Sequence, residues 1–331
     1  MNYPKFKEIL EEIKKAQKIL VNCHRSPDAD SVGSALATYL VLKKMGKEVK
    51  VICPDKLPED VKFLPHSEIV DKIDFGKFNF GQWDLFLILD SGSQAMVTGK
   101  REGVLPEIAA IVIDHHKTND NFGKINLVDE NISSTGELLF SIFEDWEVKI
   151  DKDIAQNLLA GIITDTGVFE YPLVTSRTLD IAHALMDKGG NMQEIILNIF
   201  KNIDFNKVKF WGEILTKMEK DEAGFVWSAL SHEDFKKFGS PGSAKESAAS
   251  IFAPIVKGTD FGMIMVEEDE GVLSISFRSR GDFDVSKIAE RLGGGGHISA
   301  AGAKVYVSDF DQAVLKVLEA ARKVVNENQK K

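Results

Sequence analysis

The chain has 331 residues, of which 44% are hydrophobic, and its formal net charge is −10. This length allows two domains with separate hydrophobic cores. The excess of 51 acidic over 41 basic residues argues against a protein that binds long duplex nucleic acid through a basic surface. No run approaches the roughly 18 apolar residues of a membrane span, and only two cysteines, Cys23 and Cys53, are present. The sequence therefore predicts a cytoplasmic protein with no membrane partner.

The N-terminal part of the chain alternates predicted strands and helices. Hydrophobic periodicity predicts, in order, a helix at 6–17, a strand at 18–23, a helix at 31–45 and a strand at 49–53. Strands joined by a helix in this way form parallel sheets. Further buried strands are predicted at 83–89 and 111–113, and a further helix begins at 151. This half is therefore predicted to be an α/β domain with a parallel sheet and flanking helices.

Polar side chains follow these strands at the point where each strand ends. They are His24, Asp28 and Asp30 after the first strand, Asp90 after the strand at 83–89, and Asp114, His115 and His116 after the strand at 111–113. Ligands of open α/β sheets bind at the carboxyl ends of the strands. Asp28 or Asp30 alternatively caps the following helix, but capping needs only one of them. Asp165 ends an apolar helical run, where a carboxylate without a partner or metal is costly to bury.

The predicted helix start at Ser134 has two interpretations. Ser134 and Glu137 have the spacing of a capping box, and this is the preferred interpretation. The same helix N-terminus is also suited to binding a phosphate group.

Six of the carboxylate and imidazole side chains form a candidate metal-binding set. They are His24, Asp28, Asp30, Asp90, His115 and Asp165. Six ligands exceed the number that one catalytic ion needs, so two divalent ions sharing a carboxylate fit better. Oxygen and nitrogen donors without thiolates favour Mn²⁺. Because neighbouring side chains on an extended segment point in opposite directions, His115 and His116 are expected to have different roles.

The C-terminal half begins with predicted connecting helices at 175–188, 193–202 and 205–220. Strands at 225–230, 261–267 and 272–277 and helices at 233–238 and 285–292 follow, with a flexible stretch at 239–247. Between the last helix and a further helical segment lies the glycine run 293–296, followed by His297. The run is either a flexible linker or an anion-binding loop with exposed backbone N–H groups. Arg278 and Arg280 are expected to add bidentate phosphate contacts.

Together the strand-end motifs resemble the four motifs of the DHH phosphoesterase family, and the glycine–histidine loop resembles the DHHA1 substrate-binding domain. The resemblance implies a DHH domain at 1–188, a helical connector at 189–221 and a smaller α/β DHHA1 domain with a mixed sheet at 222–331. It implies that His24, Asp28 and Asp90 hold one ion, and that Asp30, Asp90, His115 and Asp165 hold the other. Asp90 would then be the bridge and His116 would contact the scissile phosphate. The catalytic residues implied are Asp90, Asp114 and His116, and the substrate-binding residues are His116, Arg278, Arg280, Gly294, Gly295, Gly296 and His297.

Within this family the two-domain layout resembles the oligoribonuclease and adenosine 3′,5′-bisphosphate phosphatase type. The arginine that this type carries shortly after the second motif is absent here, because no arginine follows Asp90 before Arg101. We expect a two-metal hydrolase of short RNA or DNA oligonucleotides, linear or cyclic dinucleotides, or nucleoside 3′,5′-bisphosphates, with substrate contacting both halves. The alternatives are a nucleotide-binding regulatory module without turnover and an exonuclease of longer single strands. The sequence leaves open whether the chain is a homodimer.

Overall fold

Two six-stranded β-sheets organise the chain, one on each side of a division between Asn202 and Ile203. They are seen in a computed structural model that describes residues 3–306 and 308–328. Each sheet has its own hydrophobic core. The α/β fold with a parallel first sheet and a mixed second sheet confirms the predicted fold class. The domain boundaries at 188 and 221 stay a prediction.

The first unit contains a parallel sheet with most of its helices on one face and with the short helix Gln94–Thr98 and loops on the other. Its strands are β1 Lys18–Asn22, β2 Glu48–Cys53, β3 Asp71–Lys72, β4 Leu85–Leu89, β5 Ala110–Asp114 and β6 Ile125–Val128. Its helices are α1 Pro4–Lys15, α2 Ala29–Lys44, α3 Gln94–Thr98, α4 Thr135–Asp145, α5 Lys152–Asp165, α6 Ser176–Asp187 and α7 Met192–Ile195. A π-helical segment, Ile196–Phe200, continues α7.

The strand order β3-β2-β1-β4-β5-β6 creates a switch point at the centre of this sheet. From β1 the chain builds outward through β2 and β3, and it then returns to build β4, β5 and β6 on the other side. Loops leaving β1 and β4 therefore diverge and open a crevice at the carboxyl edge. Strands β1, β4 and β5 are buried almost throughout, which is why they read as continuous apolar runs in the sequence.

Helices α2 and α5 pack closely enough that glycine is required at their contact. A Cβ at Gly33 would lie 2.2 Å from the carbonyl oxygen of Asn157. The N-termini of these helices are capped by Asp28 and Asp151, whose side chains accept hydrogen bonds from the N–H groups of Ser31 and Ile154. The close packing brings the start of α2 beside the last turns of α5.

The second unit has a mixed sheet with helices on both faces. Its strands are β7 Glu219–Asp221, β8 Phe225–Leu230, β9 Phe261–Asp269, β10 Val272–Ser279, β11 Gly295–Gly296 and β12 Ala300–Tyr306. Its helices are α8 Phe205–Thr216, α9 His232–Lys237, α10 Ala244–Phe252, α11 Ser286–Arg291 and α12 Phe310–Asn328. The order is β11-β12-β10-β9-β8-β7, with only the β8–β9 pair parallel among the described strands. Helices α11 and α12 cover one face, while α8, α9 and α10 cover β8 and β9 on the other.

Several local predictions for this half were wrong. The stretch 239–247 is not flexible throughout, because α10 begins at Ala244. The helix predicted at 205–220 ends at Thr216, and β7 follows. The glycine run does not lie between two helices, since Gly295 and Gly296 form an edge strand paired with β12. Across 3–306 and 308–328, no helix is both long and apolar enough to span a membrane.

Candidate metal centre and substrate groove

Loops and helix ends at the carboxyl edge of the first sheet bring the six predicted metal ligands together in two clusters. We call the first, made of His24, Asp28 and Asp90, the His24 cluster, and the second, made of Asp30, His115 and Asp165, the His115 cluster. Within each cluster the donor atoms all lie within 4.8 Å of one another. His24 follows β1, Asp90 follows β4 and His115 follows β5, so the switch point positions them.

In the His24 cluster, the imidazole is oriented by a backbone carbonyl. Nδ1 of His24 lies 2.8 Å from the carbonyl oxygen of Arg25, so Nδ1 is assigned as the N–H donor. Nε2 then faces the carboxylates, 3.4 Å from Oδ2 of Asp90 and 3.7 Å from Oδ1 of Asp28. Asp28 also caps α2, so the capping interpretation is confirmed for a carboxylate that also faces His24.

In the His115 cluster, a buried carboxylate is fixed by the start of α4. Oδ2 of Asp30 accepts a hydrogen bond of 2.7 Å from the N–H of Thr135, and Oδ1 accepts one of 2.9 Å from the N–H of Gly136. Asp165, at the last residue of α5, places Oδ2 3.2 Å from Nε2 of His115. The helix N-terminus suggested as a phosphate site thus donates to Asp30 instead.

Asp90, a member of the His24 cluster, also faces the His115 cluster. Its Oδ2 approaches His24, while its Oδ1 lies 3.5 Å from Nε2 of His115 and accepts a hydrogen bond of 3.1 Å from the hydroxyl of Thr135. Its φ of 51° is in the left-handed region, which is uncommon for a residue with a side chain and is found at functional sites. Its two oxygens therefore face opposite clusters, as a bridging ligand requires.

Burial and mutual repulsion raise the pKa of two of the acidic groups, Asp30 and Asp165. Burial, and then the charges of Asp90 and Asp165, raise the pKa of Asp30. Burial raises the pKa of Asp165 to about 6, although contact with His115 opposes this. Asp90 shows the opposite effect: its burial is outweighed by contacts with His115 and His24, and its pKa is lowered.

Contacts with carboxylates raise the pKa of the two cluster histidines. Burial disfavours the charged form of His24, but contacts with Asp28 and Asp90 outweigh it and raise the pKa of His24 to about 11. Contacts with Asp165 and Asp90 likewise outweigh burial and raise the pKa of His115 to about 12. Among the described residues, buried Nε2 of His115 has no hydrogen-bond partner of suitable geometry. An imidazole nitrogen that faces carboxylates without bonding to them fits a cation-binding site.

His116 is paired with Asp114 beside the clusters, although it also forms a third group of possible metal ligands with Asp90 and His115. Oδ1 of Asp114 accepts a hydrogen bond of 2.7 Å from Nδ1 of His116, which leaves Nε2 of His116 available to a substrate. The His116 side chain is 45% exposed, against 12% for His115. Asp114 is buried and also accepts a hydrogen bond of 2.6 Å from the side chain of Asn119. The two adjacent histidines thus lie in different environments, and Asp114 orients His116 rather than joining either cluster.

Three supporting residues were not predicted from the sequence. Thr135 donates to both Asp30 and Asp90, Asn22 joins the ends of β1 and β4 through Leu89, and Asn119 supports Asp114. The capping box was only half right. Ser134 accepts from the N–H of Glu137, but the carboxylate of Glu137 accepts from the hydroxyls of Ser133 and Thr178 instead of closing the box.

The predicted substrate residues of the second unit do not all share one cavity. A groove of about 690 Å³, which we call the sheet groove, is lined by Arg278, the glycines 293–296 and residues of β10, β12 and α10. Arg280 lines a different cavity of about 360 Å³, where it donates to the carbonyl oxygen of Val256. His297 is exposed, and its backbone closes the turn between β11 and β12 by bonding with Ala300. Only Arg278 and the glycines of that set line the sheet groove.

A parallel sheet whose switch point carries clustered aspartates and histidines defines a metal-dependent hydrolase. Residues 18–162 match the DHH family, N-terminal domain, and residues 240–327 match the DHHA1 domain. The chain belongs to the DHH family of phosphoesterases, whose members are metal-dependent hydrolases of phosphoric esters. This confirms the resemblance drawn from the sequence.

Relatives of known name cover nearly the whole chain. It is 31% identical to the bifunctional oligoribonuclease and PAP phosphatase NrnA of Thermus thermophilus, over 95% of this chain and 93% of that protein. It is 26% identical to the protein of the same name from Bacillus subtilis, over 94% and 97%. The crystal structure of an exopolyphosphatase-related protein from Bacteroides fragilis has a TM-score of 0.84, 26% identity, and coverage of 98% and 97%.

Proposed function

We propose that this chain hydrolyses short oligoribonucleotides and linear dinucleotides to mononucleotides, and nucleoside 3′,5′-bisphosphates to nucleoside monophosphates. The observation that carries the proposal is Asp90, whose two oxygens face two separate groups of metal-ligating side chains. Support for the substrate class comes from the oligoribonuclease and PAP phosphatase relatives, which match over nearly their full length.

We infer that two divalent ions, most simply Mn²⁺, bind at this site. The His24 cluster would hold one, and the His115 cluster together with Asp90 would hold the other. Six oxygen and nitrogen donors with four aspartate charges balance two divalent cations, and no thiolate is present to favour zinc. When bound, such ions supply a water of lowered pKa and neutralise the oxygens of the reacting phosphate.

The chain's own groups then position the reacting phosphate. His116, with its Nδ1–H bonded to Asp114, would donate from Nε2 to a phosphate oxygen when the ring carries both protons. The hydrogen bond to Asp114 raises the pKa of His116, although burial opposes it, so the donating form is favoured. Asp114, itself fixed by Asn119, keeps the imidazole in this orientation.

In the second unit, we propose that Arg278 and the glycine backbone bind a further phosphate of the substrate. Arg278 lines the sheet groove beside Gly294, Gly295 and Gly296, where no side chain obstructs the approach of an anion to the backbone. Roles for Arg280 and His297 rest only on the family pattern and stay a prediction.

The test is hydrolysis of labelled ribo-oligonucleotides of two to five residues, a 24-residue single strand and a nucleoside 3′,5′-bisphosphate, with and without Mn²⁺. We expect the short substrates to be preferred, because the net charge of −10 adds no attraction for a long strand. A chelator should abolish turnover and Mn²⁺ should restore it. Turnover of bis-p-nitrophenyl phosphate without turnover of the short nucleotides would refute the substrate assignment, and preference for the 24-residue strand would favour the exonuclease alternative.

A further inference from the structure

Helices cover one face of the second sheet unevenly, although Ser274 and Ser276 of β10 are themselves buried. Helices α8, α9 and α10 pack on β8 and β9, whereas β10 and β12 turn small and polar side chains toward the sheet groove. The register pairs Ser276 with Gly302, Ser274 with Lys304 and Val272 with Tyr306. Because directly paired residues of antiparallel strands share a face, these side chains lie beside one another. Their opposite-face neighbours, such as Ile275 and Ala303, are in the core.

The groove carries two cations at different levels of the sheet. Arg278 donates to the hydroxyl of Ser250 and to a backbone carbonyl, and in 3–306 and 308–328 neither Arg278 nor Lys304 forms an ion pair. Arg278 is paired in register with Ala300, four residues before Lys304, which separates the two levels by about 13 Å. Glu246 also lines the groove, and its charge interacts with that of Arg278 without a direct ion pair. Two cations that form no direct ion pair, at two levels, suit an anion that carries more than one phosphate.

Part of the groove wall is organised from within the protein. Lys245 of α10 is 3% exposed, and its ammonium bonds to Glu246 at 2.9 Å and to Glu268 at 2.8 Å. It also donates to the hydroxyl oxygen of Ser274, so the proton of that hydroxyl is left to donate to another acceptor. Lys245 and its two carboxylate partners therefore carry one net negative charge and form a fixed part of the wall, while Arg278 and Lys304 provide the attraction for anions.

A large aromatic side chain ends the groove. Tyr306 lies two residues beyond Lys304 on the same face and is 86% exposed. Within the described chain it forms no ring–ring pair. An exposed ring beside unpaired cations is the arrangement on which nucleobases stack while the cations bind the backbone.

We propose that Lys304 and Tyr306 form a distal nucleotide subsite, in which Lys304 binds a phosphodiester and Tyr306 stacks on a base. This rests on the proposed function and adds to it a preference for chain length. Tyr306 lies about 20 Å along the strand from the level of Arg278 and Ala300. A dinucleotide held at the glycine loop therefore ends before Tyr306, and a longer oligonucleotide reaches it.

The experiment compares Tyr306→Ala with Tyr306→Phe, which keeps the ring, and with Leu315→Ala, an exposed apolar residue of α12 outside the groove. KM and kcat are measured for ribo-oligonucleotides of two, three, four and five residues with Mn²⁺. We expect Tyr306→Ala to raise KM roughly fivefold or more for oligonucleotides long enough to reach Tyr306. KM for the dinucleotide, and kcat at every length, should be unchanged. Tyr306→Phe and Leu315→Ala should behave as the wild type at every length.

If Tyr306→Ala raises KM by the same factor at all lengths, or does not raise it at any length, the proposed subsite is overturned. Loss of affinity in Tyr306→Phe as great as in Tyr306→Ala would overturn the stacking role. Binding of a fluorescein-labelled pentaribonucleotide, followed by anisotropy in the presence of a chelator, separates this proposal from the proposed function. If the wild type hydrolyses none of these substrates but the pentanucleotide binds in a Tyr306-dependent way, the proposed function fails and the subsite stands.

Discussion

Replacing Gly161 by alanine tests whether the helix contact behind Asp30 sets the geometry of the His115 cluster. A Cβ at Gly161 would lie 2.1 Å from Oδ1 of Asp30 and 3.0 Å from its Cα. Rotation of the Asp30 side chain cannot relieve the overlap alone, because the backbone of α2 is also in contact. Helices α2 and α5 must therefore move apart, and Asp30 must leave the N–H groups of Thr135 and Gly136.

Two opposing effects set the size of the change in stability. Alanine in place of glycine within a helix normally stabilises it by about 1 kcal/mol, whereas overpacking a tight contact costs about 1 to 3 kcal/mol. We expect the free energy of unfolding of Gly161→Ala to fall by up to about 2 kcal/mol. A displacement of about 1 Å at the metal centre should lower kcat/KM roughly 100-fold.

The matched control is Gly212→Ala in α8, where a Cβ would meet nothing within 4 Å. It should be neutral or stabilising by up to about 1 kcal/mol and keep wild-type activity. The measurements are denaturant unfolding, Mn²⁺ affinity by calorimetry, and kcat/KM for bis-p-nitrophenyl phosphate. Wild-type Mn²⁺ affinity and rate in Gly161→Ala would show that the position of Asp30 does not depend on this contact.

Three further outcomes are expected at the metal centre. Asp90→Ala should lower kcat/KM more than 100-fold while His183→Ala does not, and two fully occupied ions in the Asp90→Ala protein by anomalous scattering would contradict a bridging role. Elemental analysis should find less metal in His115→Ala, whereas His116→Ala should keep its metal and have a lower kcat. Equal metal loss in the two variants would show that both histidines are ligands. At pH 7.5 Mn²⁺ binding should release protons, since His24 and His115 with pKa values of about 11 and 12 hold protons in the metal-free chain and burial also raises the pKa of Asp30. Metal affinity should therefore rise with pH, and binding enthalpies that do not vary with buffer would contradict this.

The strand-end residues were predictable because parallel strands deliver their following residues to one edge. His24, Asp90 and His115 each interrupt an apolar run, and that interruption is visible in the sequence. Thr135 and Asn119 were not predictable in the same way. Their role depends on long-range contacts with Asp30, Asp90 and Asp114. Neither the first residue of α4 nor a single polar loop residue has a spacing that reveals such contacts.

In the second unit, strand β12 was not predicted because its composition is not typical of a strand. The strand β12 begins with small residues, Ala300 to Ala303, which lack the β-branched and aromatic side chains typical of strands. Arg278 and Arg280, two apart in the sequence, were expected to act together. They separate because β10 ends at Ser279 and the N–H of Arg280 bonds to the carbonyl of Asp260, turning the chain away from the groove.

The wide separation of the metal ligands along the chain has a consequence for synthesis of the protein. About 140 residues lie between His24 and Asp165, so at roughly 5 to 20 residues per second the ribosome needs several seconds to deliver the whole set. Until α5 has emerged, Gly161 is not yet present to close over Asp30, and His115 lacks the carboxylate of Asp165. The nascent chain therefore has the His24 cluster first, and the His115 cluster is complete only after α5 has emerged.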